Sequence, residues 1–181
     1  MRKIKKVLWA SAPIAVIVIL LMSIDQPIAI ETTQRLLASR EEVFEALASH
    51  QRFPNWSPFL VADPNQKHWT TGRDGTVGSK FHWQGVGEES AGFQELVKFE
   101  RPETLVMHCT ITVPSESHPV FRYDLSSDAN ATLVKQTFVM PSSLFDNILL
   151  RALGVVQEIS KTNELGLARL KQYVETHKET L

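Results

Sequence analysis

Three residues combine a proton-exchanging side chain with a position in a predicted strand. They are His82, His108 and Tyr123. An imidazole or a phenol held beside a bound substrate can act as a general acid or base. No surrounding motif requires this role, and a structural histidine with satisfied hydrogen bonds would give the same sequence. These residues are therefore candidates for catalysis, and the fold that positions them decides their role.

The other chemistry-bearing residues show no pattern of a metal site. The six histidines include no H-x-H, H-x-x-x-H or H-E-x-x-H spacing, which is the spacing expected of paired metal ligands. His50, among them, is expected at the surface or in a loop. Cys109 is the only cysteine, so it is expected to be a small buried hydrophobic residue. The sequence predicts neither a metal nor another cofactor.

The charge of the chain is divided unevenly, and this argues against nucleic acid as a partner. The first 24 of the 181 residues hold four of the 19 basic residues and none of the 20 acidic ones. The remainder therefore carries 15 basic against 20 acidic residues, a net charge of −5. A domain with this charge balance is poorly suited to bind a phosphate backbone.

The amino terminus is typical of a membrane anchor. Residues 7–24 contain no charged side chain and follow the basic segment MRKIKK. A helix over this run would rise about 27 Å, close to the roughly 30 Å hydrocarbon core of a bilayer. Because basic residues stay on the cytoplasmic side, we expect a single-pass protein with a cytoplasmic N-terminus and an extracytoplasmic domain. A cleaved secretory signal is the alternative, although no A-x-A-like cleavage site is evident. The predicted division is an anchor and short linker over 1–27 and a folded domain over 28–178.

Alternation of apolar residues and regularly spaced turn residues predict a sheet. The first strand is expected over residues 28–38, where β-branched residues alternate with polar ones. Six more strands are predicted between turns rich in glycine, proline, aspartate and serine, over 67–71, 79–86, 91–100, 103–113, 119–127 and 131–140. Six short strands in a row indicate a curled antiparallel sheet.

Helices are predicted before and after these six strands. The first, over 40–50, begins with an S-x-x-E capping pattern formed by Ser39 and Glu42. The second helical pattern runs over about 141–177. It is longer than a domain of this size needs, so we expect a break near Gly154.

The faces of the predicted strands and of the last helix indicate either a ligand cavity or a filled core. Three sets of residues share a face by alternation: Phe81 with Trp83, then Phe121, Tyr123 and Leu125, and then Val134, Gln136, Phe138 and Met140. A mostly apolar surface with a few polar atoms is typical of a ligand site, but a solid core would look similar. On the last helix, Asn163 and Gly166 interrupt an apolar stripe, so they either face such a cavity or lie slightly off the buried side.

The order of these elements and several short motifs resemble one known superfamily. The motifs are ASREEVFEAL at 38–47, FPNWSPF at 53–59, DGTVGSKFHWQG at 74–85, FERPE at 99–103, ATLVKQTF at 131–138 and GLARLKQYVE at 166–175. In this order and spacing they are similar to the START-like (SRPBCC) superfamily, and to its polyketide cyclase/dehydrase and lipid-transport branch.

The resemblance implies a fold and a site. The fold is α+β of the helix-grip type, in which a curved antiparallel sheet wraps around a long C-terminal helix. A deep cavity between the sheet and that helix would take an apolar ligand. The residues expected to line it are Trp56, Phe59, Trp83, Phe121, Tyr123, Gln136, Phe138 and Asn163.

In such a fold the segment FPNWSPF would lie at the rim of the cavity. Pro54 and Pro58 predict that it is neither a regular helix nor a strand. Its aromatic residues Phe53, Trp56 and Phe59 could roof the cavity or could plug one end of a small core. The two interpretations are compatible.

Three functions are consistent with the sequence. The first is membrane-tethered, non-catalytic binding of an apolar small molecule or lipid. The second is a cyclase or dehydratase that uses the same cavity with His82, His108 or Tyr123 as acid or base. The third is an envelope protein-interaction domain with a filled core. Residues 148–156, ILLRALGVV, either face the core or form a gate or membrane contact.

Overall fold

Seven antiparallel strands form one curved sheet in the computed structural model, which describes residues 16–177. The strands are β1 (Ile28–Leu36), β2 (Lys67–Thr71), β3 (Lys80–Gln84), β4 (Ala91–Glu100), β5 (Thr104–Val113), β6 (Val120–Asp128) and β7 (Ala131–Met140). Their order across the sheet is β1-β7-β6-β5-β4-β3-β2. Each of the seven predicted strands is present, and its ends lie within two residues of the prediction.

Five helices and one 3-10 turn complete the part of the domain from β1 to residue 177. They are α1 (Arg40–Ala48), α2 (Phe53–Trp56), α3 (Phe59–Ala62), the 3-10 turn Val86–Glu88, α4 (Leu144–Ala152) and α5 (Val155–Thr176). The predicted capping pattern of α1 is confirmed: the Ser39 hydroxyl accepts from the Glu42 amide, and the Glu42 carboxylate accepts from the Ser39 amide at 2.7 Å. These bonds satisfy amide groups that the first turn of a helix leaves free.

The predicted break in the C-terminal helical region is also confirmed. Gly154 separates α4 from α5 with a φ angle of 77°, a left-handed conformation that glycine adopts without a steric penalty. A second capping box, formed by Ser143 and Asp146, starts α4.

The expectation that FPNWSPF forms neither a regular helix nor a strand is wrong for the start of the segment. Its first four residues form the single-turn helix α2, and its last residue, Phe59, begins the single-turn helix α3. Proline is tolerated here because Pro54 lies in the first turn of α2 and Pro58 is the N-cap of α3, and neither position requires an amide donor within its helix. The two prolines therefore mark where each short helix starts.

The C-terminal half of α5 is the part of the helix that is fixed in the core. Leu167, Leu170 and Val174 are at most 1% exposed, and α5 packs against β1. On the other side of the same core, Val43, Phe44 and Leu47 of α1 are equally buried. This packing leaves the N-terminal half of α5 free to line a different space.

Helix α4 turns apolar side chains outward, so the core-facing interpretation of residues 148–156 is wrong for much of that run. Ile148 is 54% exposed, Leu149 is 42% exposed and Leu153 is 68% exposed. The start of α4 is joined to the segment that precedes β1: the Leu144 amide donates to the Ile24 carbonyl at 2.8 Å.

The predicted membrane anchor begins outside the described residues. Residues 16–22 are helical, while residues 7–15 of the expected span lie beyond the described part of the chain. Within residues 16–177, no helix has both the length and the apolar character needed to cross a bilayer.

Candidate functional site

A cavity of about 330 Å³ lies between the sheet and the N-terminal half of α5. The sheet contributes Phe81 and Trp83 from β3, Cys109 from β5, Phe121 from β6 and Phe138 from β7, and α5 contributes Ile159. These inward positions follow from strand alternation, since side chains two residues apart share a face. Most of the lining is apolar, so the cavity can exclude water around an apolar guest.

The exposed lining residues show where the cavity opens. Phe59 of α3 is 47% exposed and Val155 at the start of α5 is 37% exposed, and Glu158, one turn further, is also exposed. The Glu158 carboxylate accepts from Lys161 Nζ at 2.7 Å. The mouth therefore lies between α3 and the start of α5, and the exposed Leu153 comes just before that helix in the chain.

The inner end of the cavity is polar. Asn163 lines both the cavity and a small adjoining void of about 20 Å³, which Tyr123 and Gln136 also line. Tyr123 and Gln136 are directly opposed in the β6–β7 ladder. Burial, together with the nearby Cys109, raises the pKa of the Tyr123 phenol well above its usual range, so this side chain remains a neutral hydrogen-bond donor.

An aromatic cluster closes the cavity on the α2 side. The Phe53 ring makes edge-on contacts with Trp56 at 4.8 Å and with Phe81 at 4.9 Å. Trp56 is buried, and its Nε1 donates to the Ala46 carbonyl at 3.3 Å. Edge-on pairs of this kind are favourable beyond their buried area. In FPNWSPF, Trp56 is therefore a core plug, while Phe53 and Phe59 line the cavity.

Gly166 explains how FPNWSPF reaches the last helix. A Cβ at this position would lie 3.3 Å from Pro58 Cγ, so the absence of a side chain lets the proline ring pack against α5. Asn163 and Gly166 are both buried. The interpretation in which they lie off the buried face is thus wrong.

The position of Trp83 is fixed by one contact with β4 and one with the residue just before it. Its Nε1 donates to Ser90 Oγ at 3.1 Å. Its ring covers Gly92, where a Cβ would come within 2.6 Å of Cζ2. The indole can lie flat on the sheet because position 92 has no side chain, and it forms part of the cavity wall as a result.

The eight residues predicted to bind ligand fall into two groups. The cavity itself is lined by Phe59, Trp83, Phe121, Phe138 and Asn163. Trp56, Tyr123 and Gln136 line only the adjoining small void. All eight therefore line one or the other of two neighbouring spaces between the sheet and α5, which share Asn163 and several other lining residues.

Two of the three catalytic candidates lie outside this region. His82 alternates with the inward Phe81 and Trp83, stacks on Trp69 at 5.1 Å and has its Nε2 2.9 Å from Thr71 Oγ1. Partial burial, followed by the nearby Lys80, lowers the pKa of His82. His108 is exposed on β5. Only Tyr123 borders the region, and its raised pKa keeps the phenol protonated, so it is a weak acid and is not available as a base.

Several lining residues were missed by the sequence analysis. Gln94 and Cys109 are opposed in the β4–β5 ladder, and both line the cavity. The inward position of Gln94 could have been inferred from Leu96, two residues further on the same face. Burial raises the pKa of the Cys109 thiol to about 12, so the thiol stays protonated and acts as part of the apolar wall.

His50 lies in a turn, one of the two positions expected for it, but it is buried in a separate polar cluster and is not at the surface. It is 1% exposed, and its Nε2 donates to the Ser79 carbonyl at 3.0 Å. Its backbone amide donates to the Asp74 carboxylate at 2.7 Å, which also accepts from the Ser49 hydroxyl at 2.6 Å. Burial lowers the pKa of His50 despite these partners. The cluster fixes the end of α1 to the 74–79 turn.

Comparison with known proteins identifies the fold. No family model and no curated protein match the sequence. The structure is similar to Aha1 from Colwellia psychrerythraea, with a TM-score of 0.55 at 17% identity, covering 82% of this chain and 96% of that one. For Ara h 8.0201 the TM-score is 0.54 at 11% identity, with 83% and 99% covered. For DynU16, a protein of the dynemicin biosynthetic locus, the TM-score is 0.56 at 18% identity, and the match covers 82% of this chain and 47% of DynU16. The chain thus has the START/Bet v1-like helix-grip fold.

Proposed function

We propose that this protein is a membrane-tethered, non-catalytic binder of an apolar small molecule or lipid. The observation that carries the proposal is the largely apolar cavity of about 330 Å³ between the sheet and α5. This volume suits about eleven non-hydrogen atoms, if each takes the roughly 30 Å³ of a water molecule in the liquid. The motifs that resemble the lipid-transport branch of the START-like superfamily support the same function.

Binding is favoured over the two alternatives by the arrangement of side chains. General acid or base catalysis needs a proton-exchanging group within reach of the substrate, and His82 and His108 lie outside the cavity wall. An interaction domain with a filled core disagrees with the presence of the cavity.

The tether and the exposed face of α4 support exchange with a lipid surface. The segment that leads from the predicted anchor is fixed to the start of α4, since the Leu144 amide donates to the Ile24 carbonyl at 2.8 Å. The exposed Ile148 and Leu149 lie on this helix, and the exposed Leu153 is its C-cap, just before Val155 at the cavity mouth. Apolar side chains grouped in this way favour contact with a membrane. A guest could then pass between the bilayer and the cavity without crossing much water.

Co-purification tests the binding function. The full chain is purified from cells, and bound small molecules are identified by mass spectrometry. We expect an apolar compound with the wild type and its loss from Ile159→Trp, which fills the cavity from α5. Leu165→Trp, on the exposed side of the same helix, is the matched control and should retain the compound. Binding would be excluded if the wild type carried no compound and bound no added apolar probe.

Membrane fractionation tests the tether separately. We expect the full chain to stay with the membrane after alkaline carbonate extraction, because a spanning helix resists that treatment. Release of the intact chain would contradict the anchor and would leave the binding proposal unchanged.

A further inference from the structure

The inner end of the cavity contains an amide with an unused hydrogen-bond donor. Asn163 is 5% exposed, and its Nδ2 is buried without a partner among the described residues. Buried donors are nearly always paired in folded proteins, and an unpaired one is costly. The amide lines both the cavity and the adjoining void, so a ligand in the cavity can supply the missing partner.

Two further neutral groups converge on the same point. They are the Tyr123 hydroxyl and the Gln136 amide. Both line the small void beside Asn163. The inner end therefore offers hydrogen bonds without offering a charge.

The charge of the lining restricts the ligand further. Among the described residues, the cavity and the void are lined by no lysine, arginine or histidine. The one charged lining residue, Glu158, is acidic and exposed at the mouth. A buried anion needs a paired charge to be stable, and a carboxylate at the inner end would have none.

We infer that the ligand is a neutral, mostly apolar molecule with one oxygen acceptor, such as a ketone, ester or alcohol. It enters oxygen first, and the oxygen accepts a hydrogen bond from Asn163 Nδ2. This inference rests on the proposed binding function and names the ligand class and its orientation.

Two probes of equal size test the inference. 2-Decanone and 2-methyl-1-decene each have about eleven non-hydrogen atoms, the number that the cavity volume suggests, and they differ in a C=O against a C=CH₂ group. Binding to the full chain in phosphatidylcholine nanodiscs is measured by equilibrium partition against empty nanodiscs, with gas chromatography. The wild type is compared with Asn163→Leu and with Gln172→Leu, an exposed amide on the same helix. Because each probe enters the same lipid in every sample, partition into lipid cancels between variants.

We expect Asn163→Leu to raise the dissociation constant of the ketone about tenfold relative to that of the alkene, because one hydrogen bond in a buried site is lost. Gln172→Leu should leave the ratio within about twofold of the wild type. Asn163→Ala, which removes the donor and adds no charge, should act like the leucine variant and replaces it if that protein does not fold. With carbonyl-¹³C ketone, the bound resonance should lie further downfield in the wild type than in Asn163→Leu.

Three results would overturn the inference. The first is an unchanged ratio in both Asn163 variants while the probes still bind, which leaves the binding function standing. The second is binding of decanoate at pH 8 as tight as that of 2-decanone. The third is no binding of any probe to the wild type, which removes the proposed function as well.

Discussion

Replacing Asn163 with leucine should stabilise the ligand-free protein even though it weakens binding. Leaving a buried donor unpaired costs about 1–3 kcal/mol, and replacing it with an apolar group of similar shape removes that cost. Asn163 Nδ2 is such a donor. We therefore expect the free energy of unfolding to rise by about 1–3 kcal/mol. For a chain of 181 residues this corresponds to a rise in Tm of about 2 to 12 °C.

Asn147 provides the matched control, because it is the same residue type at the same burial with its hydrogen bonds made. It is 6% exposed, its Nδ2 donates to the Gln26 carbonyl at 2.9 Å, and its Oδ1 accepts from Arg151 Nε at 2.7 Å. Asn147→Leu breaks both bonds and should lower the free energy of unfolding by about 1 kcal/mol or more.

The assay is urea unfolding of the two variants and the wild type, after bound compounds have been removed by unfolding and refolding. The free energy of unfolding should rise for Asn163→Leu and fall for Asn147→Leu. If Asn163→Leu lost as much stability as Asn147→Leu, the Asn163 amide would have a partner in the folded protein, and the reasoning about the inner end of the cavity would fail.

Three more outcomes follow from the cavity wall and the buried histidine. Trp83→Ala should reduce retention of bound lipid in native mass spectrometry, whereas Trp69→Ala, on the outer face of the sheet, should not; equal retention would remove Trp83 from the wall. Gly92→Ala should lower the free energy of unfolding by about 1–3 kcal/mol, because the new Cβ would lie 2.2 Å from the Thr110 carbonyl oxygen; an unchanged urea midpoint would contradict this. The free energy of unfolding should fall as the pH drops below 6.5. The pKa of His50 is lower in the folded protein than in the unfolded chain, so the unfolded chain binds a proton at a higher pH and is favoured as the pH falls. His50→Gln should make that fall shallower in urea titrations, and equal slopes would show that His50 does not cause it.

Much of the fold could be predicted because the relevant signals are local. Alternation sets the strands, the serine and acidic pairs cap α1 and α4, and Gly154 ends α4. These signals depend on residues within one turn or one strand. FPNWSPF was misjudged because proline disfavours the interior of a helix but not its first turn, and two helices of one turn have almost no interior.

The site was less predictable because it depends on contacts between distant segments. The burial of His50 requires the 74–79 turn to fold over the end of α1, and sequence spacing does not show this. Exposure of Leu149 and Leu153 depends on how α4 lies against the rest of the domain. Alternation did group Phe121 with Tyr123 on one strand and Phe138 with Gln136 on another, but it could not separate a cavity from a filled core, since both require the same apolar residues.

The cavity remains open because the two halves of α5 have different neighbours. Leu167, Leu170 and Val174 hold the C-terminal half in the core, and that packing fixes the height of the helix above the sheet. The N-terminal half presents Val155 and Ile159 to the cavity and ends at the left-handed Gly154, so it cannot move inward without shifting the packed half. The packed core and the proposed binding cavity therefore lie at opposite ends of one helix, and Asn163 lies at the boundary between them.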